Sequence, residues 1–503
     1  MKTPGSDSSD EFARLRRQRE RRLAEIEAAS GAGLGAIPLA FERARLLDEL
    51  GRPDAARDAY LDVLRRDSTD AETLNALGRL LDRTGFGSAA RTVYARAVET
   101  NPGDAISHGN LATTLLDAGE TAAARRHYEI AIRLDPDNVA ARQCLAILLL
   151  RDGDERGAAA HARVGFRHGA SIWAFRGAGR PIPVLVVHSA LGGNVPIDRF
   201  IDDRTFVKST IVAEFFDSAW VLPRHALVVN AIGDASRCCR ALEAARDIVA
   251  ATAAPVINAP SRIAATAREA LAGALSGITG AVAPLTLRFG RETLARLDAA
   301  GELAAAGFAW PLIVRTPGFQ TGLHCRLVEG PEALPGALEM LPGDELLAIA
   351  YVDVRARKDA RVRKFRVMMV DGVLYPLHLA ISKHWMVHYY TADTALEHAA
   401  EEAAFLDDME GVLGATALAA LSEIAMRLGL DYGGIDFAFD GQGRLVVFEA
   451  NATMIVPPST AERRPERRKA VERIEQAMRR MLLTRGRLEN NASEVTKHKP
   501  KLS

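Results

Sequence analysis

The pattern of apolar and polar positions changes once along the chain, near Gly179. Before that point, small and aromatic residues recur at a fixed interval. Gly51, Gly85, Gly119 and Gly153 lie 34 residues apart, as do Ala56, Ala90, Ala124 and Ala158, and Tyr60, Tyr94 and Tyr128. Three registers sharing one period mark a repeated structural unit. After Gly179, short apolar runs alternate with helical stretches. PVLVVH (183–188), ALVVNAI (226–232) and PVIN (255–258) read as buried strands, with helices predicted over 234–250 and 261–275. This alternation predicts a small parallel α/β unit over 181–285. A second block follows: WPLIVR (310–315), LHCRLVE (323–329), ELLAIAYVDV (345–354), RKFRVMMV (363–370) and VLYPLHLAI (373–381) read as strands, and 394–410 and 414–428 as helices. YGGIDFAFD (432–440) and RLVVFEAN (444–451) close the block as a hairpin, turned at Asp440-Gly441-Gln442-Gly443. The pattern is that of an α+β domain with mainly antiparallel pairing. Over 466–485, Val471, Ile474, Met478 and Leu482 fall at helical spacing. They predict a basic amphipathic helix packed on the domain rather than on a membrane. Residues 487–503 read as disordered.

The 34-residue period is that of the tetratricopeptide repeat, and the intervening residues resemble that family. Residues 71–104 carry Leu74, Leu77, Gly78, Leu81, Gly85, Ala90, Tyr94, Ala97 and Pro102 at its positions. Residues 105–138 repeat Leu111, Gly119, Ala124, Tyr128, Ala131 and Pro136. The resemblance implies stacked helix–turn–helix units. Gly breaks between the helices, Ala lets them approach, Tyr fills the space between units and Pro ends the second helix. Residues 37–70 and 139–170 are weaker copies, so the repeats are placed at 37–170, behind a charged helix or linker over 1–36. Acidic residues interleave with Arg between Arg14 and Glu27. That favours a solvated or capping helix over a nucleic-acid-binding arm.

Composition narrows the classes. At ~150 residues per domain, the 503 residues make about three domains. Lys and Arg number 64 and Asp and Glu 64, which argues against a generally basic nucleic-acid binder. No apolar run approaches the ~18 residues of a membrane span, and the N-terminal residues lack the apolar core of a signal peptide. A cytoplasmic protein is the expectation. Four Cys exclude a disulfide framework, and the adjacent Cys238 and Cys239 lack Cys-x-x-Cys spacing, which favours packing. Neither a Walker A motif nor a G-x-S-x-G elbow is found, and SALGGN (189–194) follows a strand without the G-x-G-x-x-G spacing.

Candidate chemistry concentrates in the last hairpin. Asp436 lies on its first strand; Glu449 and Asn451 lie two residues apart on the second, hence on one face. Two carboxylates and an amide oxygen form an all-oxygen set that suits Mg²⁺, with Mn²⁺ as an alternative. The other reading is an ordinary acidic hairpin face. Lys364 and Arg366 share one face of their strand; Arg366 reads as a phosphate or acyl-phosphate contact, or as a surface ion pair. The segment 378–390 (HLAISKHWMVHYY) holds Lys383, His384 and His388. It reads as a substrate-recognition loop, as a metal-binding His pair at i, i+4 on a helix, or as an aromatic core segment.

Over about 181–460 the chain resembles the ATP-grasp superfamily, most closely the branch of glutathione synthetase and the ligases acting on ribosomal-protein tails. The metal-binding end of that family is an Asp on one strand and Glu-x-Asn on the next, as in GIDFAFDGQGRLVVFEANAT here. PLIVRTPGFQTG (311–322) resembles its strand and glycine loop over the nucleotide phosphates, ELLAIAYVD (345–353) its adenine-reading strand, and RKFRVMMVDG (363–372) its basic strand. The resemblance implies an α/β pre-ATP-grasp substrate domain at 181–285, an α+β ATP-grasp domain at 286–460, and a basic helix and tail at 461–503. It implies ATP held by Arg315, Gly318, Gly322, Asp353 and Arg288, Mg²⁺ on Asp436, Glu449 and Asn451, and Arg366 and Arg315 at the reacting phosphate. Asn258 and Arg262 would line the substrate cleft. Two positions depart from the family pattern. Arg315 and Ala270 stand where Lys is usual, with Arg268 or Arg288 as substitutes for the second.

These features imply an ATP- and Mg²⁺-dependent carboxylate–amine (or thiol) ligase working through an acyl phosphate. Its substrate would be a small-molecule or peptide carboxylate. The repeats would hold a protein or peptide partner or self-associate as a homo-oligomer; nucleic acid and membrane are not expected partners. Two alternatives stay open: a repeat scaffold with a catalytically weak nucleotide-binding domain, and an ATP-grasp kinase.

Overall fold

The computed structural model describes residues 7–30, 37–167, 169–296, 298–319, 322–387, 396–462 and 464–495. It divides into two compact units. One comprises Met1–Leu185 and Ile201–His225, the other Val186–Phe200 and Ala226–Ser503. The division therefore runs through the expected 181–285 domain.

The first unit is built on helices α1 (Asp7–Ser30), α2 (Ile37–Glu49), α3 (Pro53–Arg66), α4 (Ala71–Arg83), α5 (Gly87–Thr100), α6 (Ala105–Asp117), α7 (Thr121–Leu134), α8 (Val139–Arg151) and α9 (Glu155–Gly165). From α2 onward they pack as antiparallel pairs. The periodic glycines open each pair. Gly51, Gly85, Gly119 and Gly153 have φ of 73°, 87°, 80° and 83°, a left-handed turn that a Cβ disfavours. The periodic alanines and tyrosines are buried. A further register at the same period escaped the sequence reading. Asp70, Asp104 and Asn138 cap α4, α6 and α8, each side chain accepting the N–H of the third helical residue. Leu23 and Ile26 of α1 are buried with apolar residues of α2, α3 and α4, so the charged N-terminal stretch acts as a capping helix. Strand β1 (Ser171–Ile172) follows the repeats, β2 (Ile182–His188) carries the chain from one unit to the other, and β3 (Phe206–Val212) returns to pair antiparallel with β1.

Gly78 shows how tightly the repeats close. A Cβ there would meet the Tyr94 ring at 2.4 Å. Gly78→Ala is expected to lower stability by about 1–3 kcal/mol through overpacking, and the added change Tyr94→Leu to recover part of it; urea unfolding of the full chain measures both.

In the second unit, β4 (Leu227–Asn230) and β5 (Val256–Ile257) are parallel. β6 (Ala281–Val282) leads to a small antiparallel sheet of β7 (Thr286–Gly290), β8 (Leu312–Arg315), β9 (Cys325–Val328) and β10 (Glu345–Ala350), ordered β7-β10-β8-β9. A larger sheet contains β11 (Val362–Val370), β12 (Val373–Ser382), β13 (Tyr432–Phe439) and β14 (Leu445–Asn451), ordered β12-β11-β13-β14-β6, with β6 parallel to β14 and the other pairs antiparallel. Its last hairpin turns where expected: the Asp440 carboxylate accepts the N–H groups of Gln442 and Arg444.

Several boundaries differ from expectation. The helix expected over 234–250 begins at Cys239, because the Asp234 carboxylate binds the Ser236 and Arg237 N–H groups and holds 234–238 in a turn. The stretch 261–275 forms two helices, Pro260–Ala264 and Arg268–Ala274, and 394–410 likewise forms Leu396–Asp407 and Met409–Leu413. The C-terminal helix runs Pro465–Val495, past the point where disorder was expected. Val471, Ile474, Met478 and Leu482 are buried, and Arg485 pairs with Asp431 and Asp371, which extends the anchored part. No described helix is long and apolar enough to cross a membrane.

Candidate functional site

A cavity of about 830 Å³ lies within the second unit, lined by both of its larger sheets. Strand alternation sets the floor: Val362, Lys364 and Arg366 follow one another on the same face of β11. Asp436 is the register partner of Arg366 on one side and of Glu449 on the other. Opposite charges therefore sit directly across β11 and β13, and two carboxylates across β13 and β14. Ile313 and Arg315 of β8, Ile349 and Ala350 of β10, and Gly318 and Gly322 of the glycine loop also line it. Gly318 and Gly322 have φ of 77° and 71°.

Register shifts occur on the two strand pairs that meet here, between Arg366 and Val367 and between Asp436 and Phe437. The unpaired residues, Leu377 on β12 and Phe448 on β14, both line the cavity. Bulges re-aim side chains and are common beside functional sites.

The cluster is dense in charge. Asp436 is fully buried; it accepts from Arg366 Nε at 2.5 Å and Nη2 at 2.8 Å, and from Lys364 Nζ at 2.6 Å. Burial opposes the Asp436 charge, but Lys364 and Arg366 hold its carboxyl far below the usual range. Burial also opposes the Arg366 charge, and Asp436 more than restores it, leaving that guanidinium more basic than usual. Glu449 pairs with Arg268 at 2.7 Å and accepts from Asn451 Nδ2 at 2.7 Å. Burial works against its charge and Arg268 prevails, keeping its pKa low.

Arg315 differs from these. It is 8% exposed and donates to the Phe319 carbonyl in the glycine loop. Its buried Nε has no hydrogen-bond partner among the described residues. Burial, then repulsion from Arg268, lowers its pKa, yet a guanidinium remains a cation. Lys364, Arg366, Arg268 and Arg315 against Asp436 and Glu449 leave a surplus of two positive charges. The nearby Asp234 and Arg237 also line the cavity and leave that surplus unchanged. A half-buried cationic surplus, with a buried N–H unsatisfied among the described residues, is chemistry for a polyanion.

The oxygen donors suit a hard divalent cation in kind, but each is already engaged. Asn451 Oδ1 accepts from Thr453 N at 3.0 Å and Oγ1 at 2.8 Å, and both carboxylates hold cations. Among the described residues, no three His, Cys, Asp or Glu side chains gather as metal ligands. The cluster as it stands therefore does not fit a resident metal ion.

Of the other residues singled out from sequence, Asp353 forms a bidentate pair with Arg355, while its neighbours Tyr351, Val352 and Val354 line the cavity. Arg288 pairs with Glu269 and Glu345 and is not in the lining; Arg268 is. Asn258 is buried, with φ of 57°, and its side chain bonds the Asp431 and Tyr432 backbone. Arg262 packs against Gly429. Lys383 and His384 lie outside the lining, and the described residues 383–387 are not helical. His388 lies outside the described residues. Trp385, Met386 and Val387 of the same segment do line the cavity. Asp234, Arg237, Arg464 and Arg467 also line it and were missed; sequence spacing gives no signal for them, because they come from separate segments. The four cysteines are free, Cys238 buried and Cys239 exposed.

The family model described as a tetratricopeptide repeat matches residues 41–105 and 110–165. No curated protein matches the chain. Among solved structures, MamA is similar at 19% identity over 32% of this chain and 94% of its own, with a TM-score of 0.28. YrrB, a TPR protein with an unusual peptide-binding site, is similar at 19% identity over 31% of this chain and 82% of its own, with a TM-score of 0.26. The VanG D-Ala:D-Ser ligase from Enterococcus faecalis is similar at 14% identity over 60% of this chain and 99% of its own, with a TM-score of 0.39. The fold class expected from sequence is the one observed: tetratricopeptide helices, then an α/β segment and two mainly antiparallel sheets.

Proposed function

We propose that the second unit is an ATP-dependent ligase of the ATP-grasp type, which activates a carboxylate as an acyl phosphate for attack by an amine or thiol. The observation that carries this reading is Arg315, a buried cation with no carboxylate partner among the described residues, at the foot of a glycine loop above a cluster with surplus positive charge. The apolar end of the cavity, with Ile313, Ile349 and Val362, suits a flat base. Arg315, Arg268, Lys364 and Arg366 hold and neutralise the phosphates, and the Gly318 and Gly322 backbone closes over them. Arg268 takes the place left open by Ala270. Mg²⁺ brought in with the nucleotide would neutralise phosphate charge; the oxygens of Asp436, Glu449 and Asn451 are engaged as they stand and do not offer it a site. Asp353 would reach the ribose after release from Arg355. The repeats would serve a protein or peptide partner.

The test is release of ADP and phosphate by the purified chain against a panel of amino acids and peptide carboxylates, with product analysis by mass. Release that depends on a carboxylate and yields a condensed product supports the ligase. A phosphorylated product would instead identify a kinase. Nucleotide binding without turnover would support the scaffold reading, which Ala270 and Arg315 motivate.

A further inference from the structure

We propose that Arg464, braced together with Arg467 on the buried Glu402, sets the specificity of the second unit by binding a group that the reaction leaves untouched: the spare carboxylate of an apolar substrate. This rests on the ligase reading above and adds to it the chemistry of one substrate. Both arginines line the cavity and lie beyond the stretch that resembles the ATP-grasp pattern. Glu402 comes from the helix Leu396–Asp407 and is 3% exposed. It accepts the Leu379 N–H at 3.2 Å, Arg464 Nη1 at 3.1 Å, and Arg467 Nε at 2.9 Å and Nη2 at 2.7 Å. Leu379 follows His378, the register partner of Arg366, and β12 is the outer strand of its sheet. Glu402 therefore anchors a second set of cations about one strand spacing, ~5 Å, beyond the strand that carries Lys364 and Arg366. Burial foremost, then the charges of Arg366, Lys364 and Arg467, hold the His378 imidazole well below its usual range, so both sets act on one side chain. The two sets differ in charge. Glu462 also lines the cavity and accepts the Arg464 backbone N–H at 3.1 Å. Arg464 and Arg467 thus face Glu402 and Glu462, two cations against two anions, with no surplus to draw a polyphosphate. What remains is directed hydrogen bonding. A guanidinium carries five N–H donors in a planar fork, and Glu402 takes one of those of Arg464. That fork matches a single carboxylate. Val471, four residues on from Arg467, and Pro457 line the same cavity and offer an apolar wall.

The experiment uses the full chain and two matched pairs of probes, 3-phenylpropionate with 3-phenylpropionamide and leucine with leucinamide, each titrated by ligand-observed NMR. At least one acid should bind, about tenfold more tightly than its amide. Binding of neither acid, or equal binding of acid and amide, overturns the proposal. Arg464→Gln leaves Arg467 on Glu402. It should weaken the acid by about tenfold, bring it level with the amide, and leave ATP affinity unchanged. An acid that Arg315→Met weakens and Arg464→Gln does not is bound in the phosphate cluster, which also overturns the proposal. The Arg464 side chain is 41% exposed, so the exchange should fold; near-UV circular dichroism checks it. Arg464→Lys keeps the charge and loses the fork, and its affinity for the acid should fall between those of wild type and Arg464→Gln. Failure of ATP to bind, with an acid still dependent on Arg464, removes the ligase reading and leaves this subsite standing.

Discussion

Arg315→Met is expected to make the protein more stable and its nucleotide binding much weaker. The two effects share one cause. Arg315 is nine-tenths buried, its Nε lacks a partner among the described residues, and Arg268 repels it. Replacing a buried, poorly compensated charge by an apolar side chain of similar volume is stabilising by about 1–3 kcal/mol in comparable cases. The hydrogen bond to the Phe319 carbonyl is lost, at about 1 kcal/mol, so a net gain should survive. Binding moves the other way. Losing a desolvated cation against a phosphate should weaken ATP at least about thirtyfold. Urea unfolding and calorimetric titration of the same preparation check both signs. A variant that is destabilised but binds normally would make Arg315 a brace for the glycine loop and nothing more.

Asp436→Ala should do the reverse to stability. It strands Lys364 and Arg366 beside each other with no carboxylate, in a place where Asp436 itself is fully buried. Removing one partner of a buried charge cluster costs about 3–5 kcal/mol. The pH dependence follows from the depressed pKa. A carboxyl whose folded pKa lies below its unfolded value of about 3.9 stabilises fully above that value and loses its contribution as pH falls toward the folded pKa. The stability gap between wild type and Asp436→Ala should therefore be flat from about pH 5 to 8 and narrow only below about pH 4. A gap under about 1 kcal/mol at neutral pH would mean that the cluster is solvated in solution rather than buried.

Much of the fold was legible because it is written in local patterns. The repeats declare themselves through Gly85, Ala90 and Tyr94 and their copies, since each unit needs the same turn, the same close helix approach and the same plug. The missed register of Asp70, Asp104 and Asn138 carries equally local information, in side chains that cap the next helix. The site was legible in part. Asp436 and Glu449 face each other as the hairpin turn required. Asn258 shows the opposite case: a polar residue after a strand looks available to a ligand, yet here it satisfies the backbone of a segment more than 170 residues away.

The sequence by itself determined the repeat period, the strands and the set of residue types that phosphate chemistry needs. Periodicity and turn chemistry depend on neighbours along the chain, so they survive without a structure. Only the tertiary structure decided which charges meet. Lys364 and Arg366 come to Asp436 across a strand pair, and Arg268 comes to Glu449 from a separate helix. Strand bulges beside Arg366 and Asp436 shift the register on which any counting of faces relies. Among the described residues, Arg315 is left without a carboxylate partner for the same reason. Whether a buried cation is paired depends on the full three-dimensional arrangement of partners, which sequence spacing does not contain.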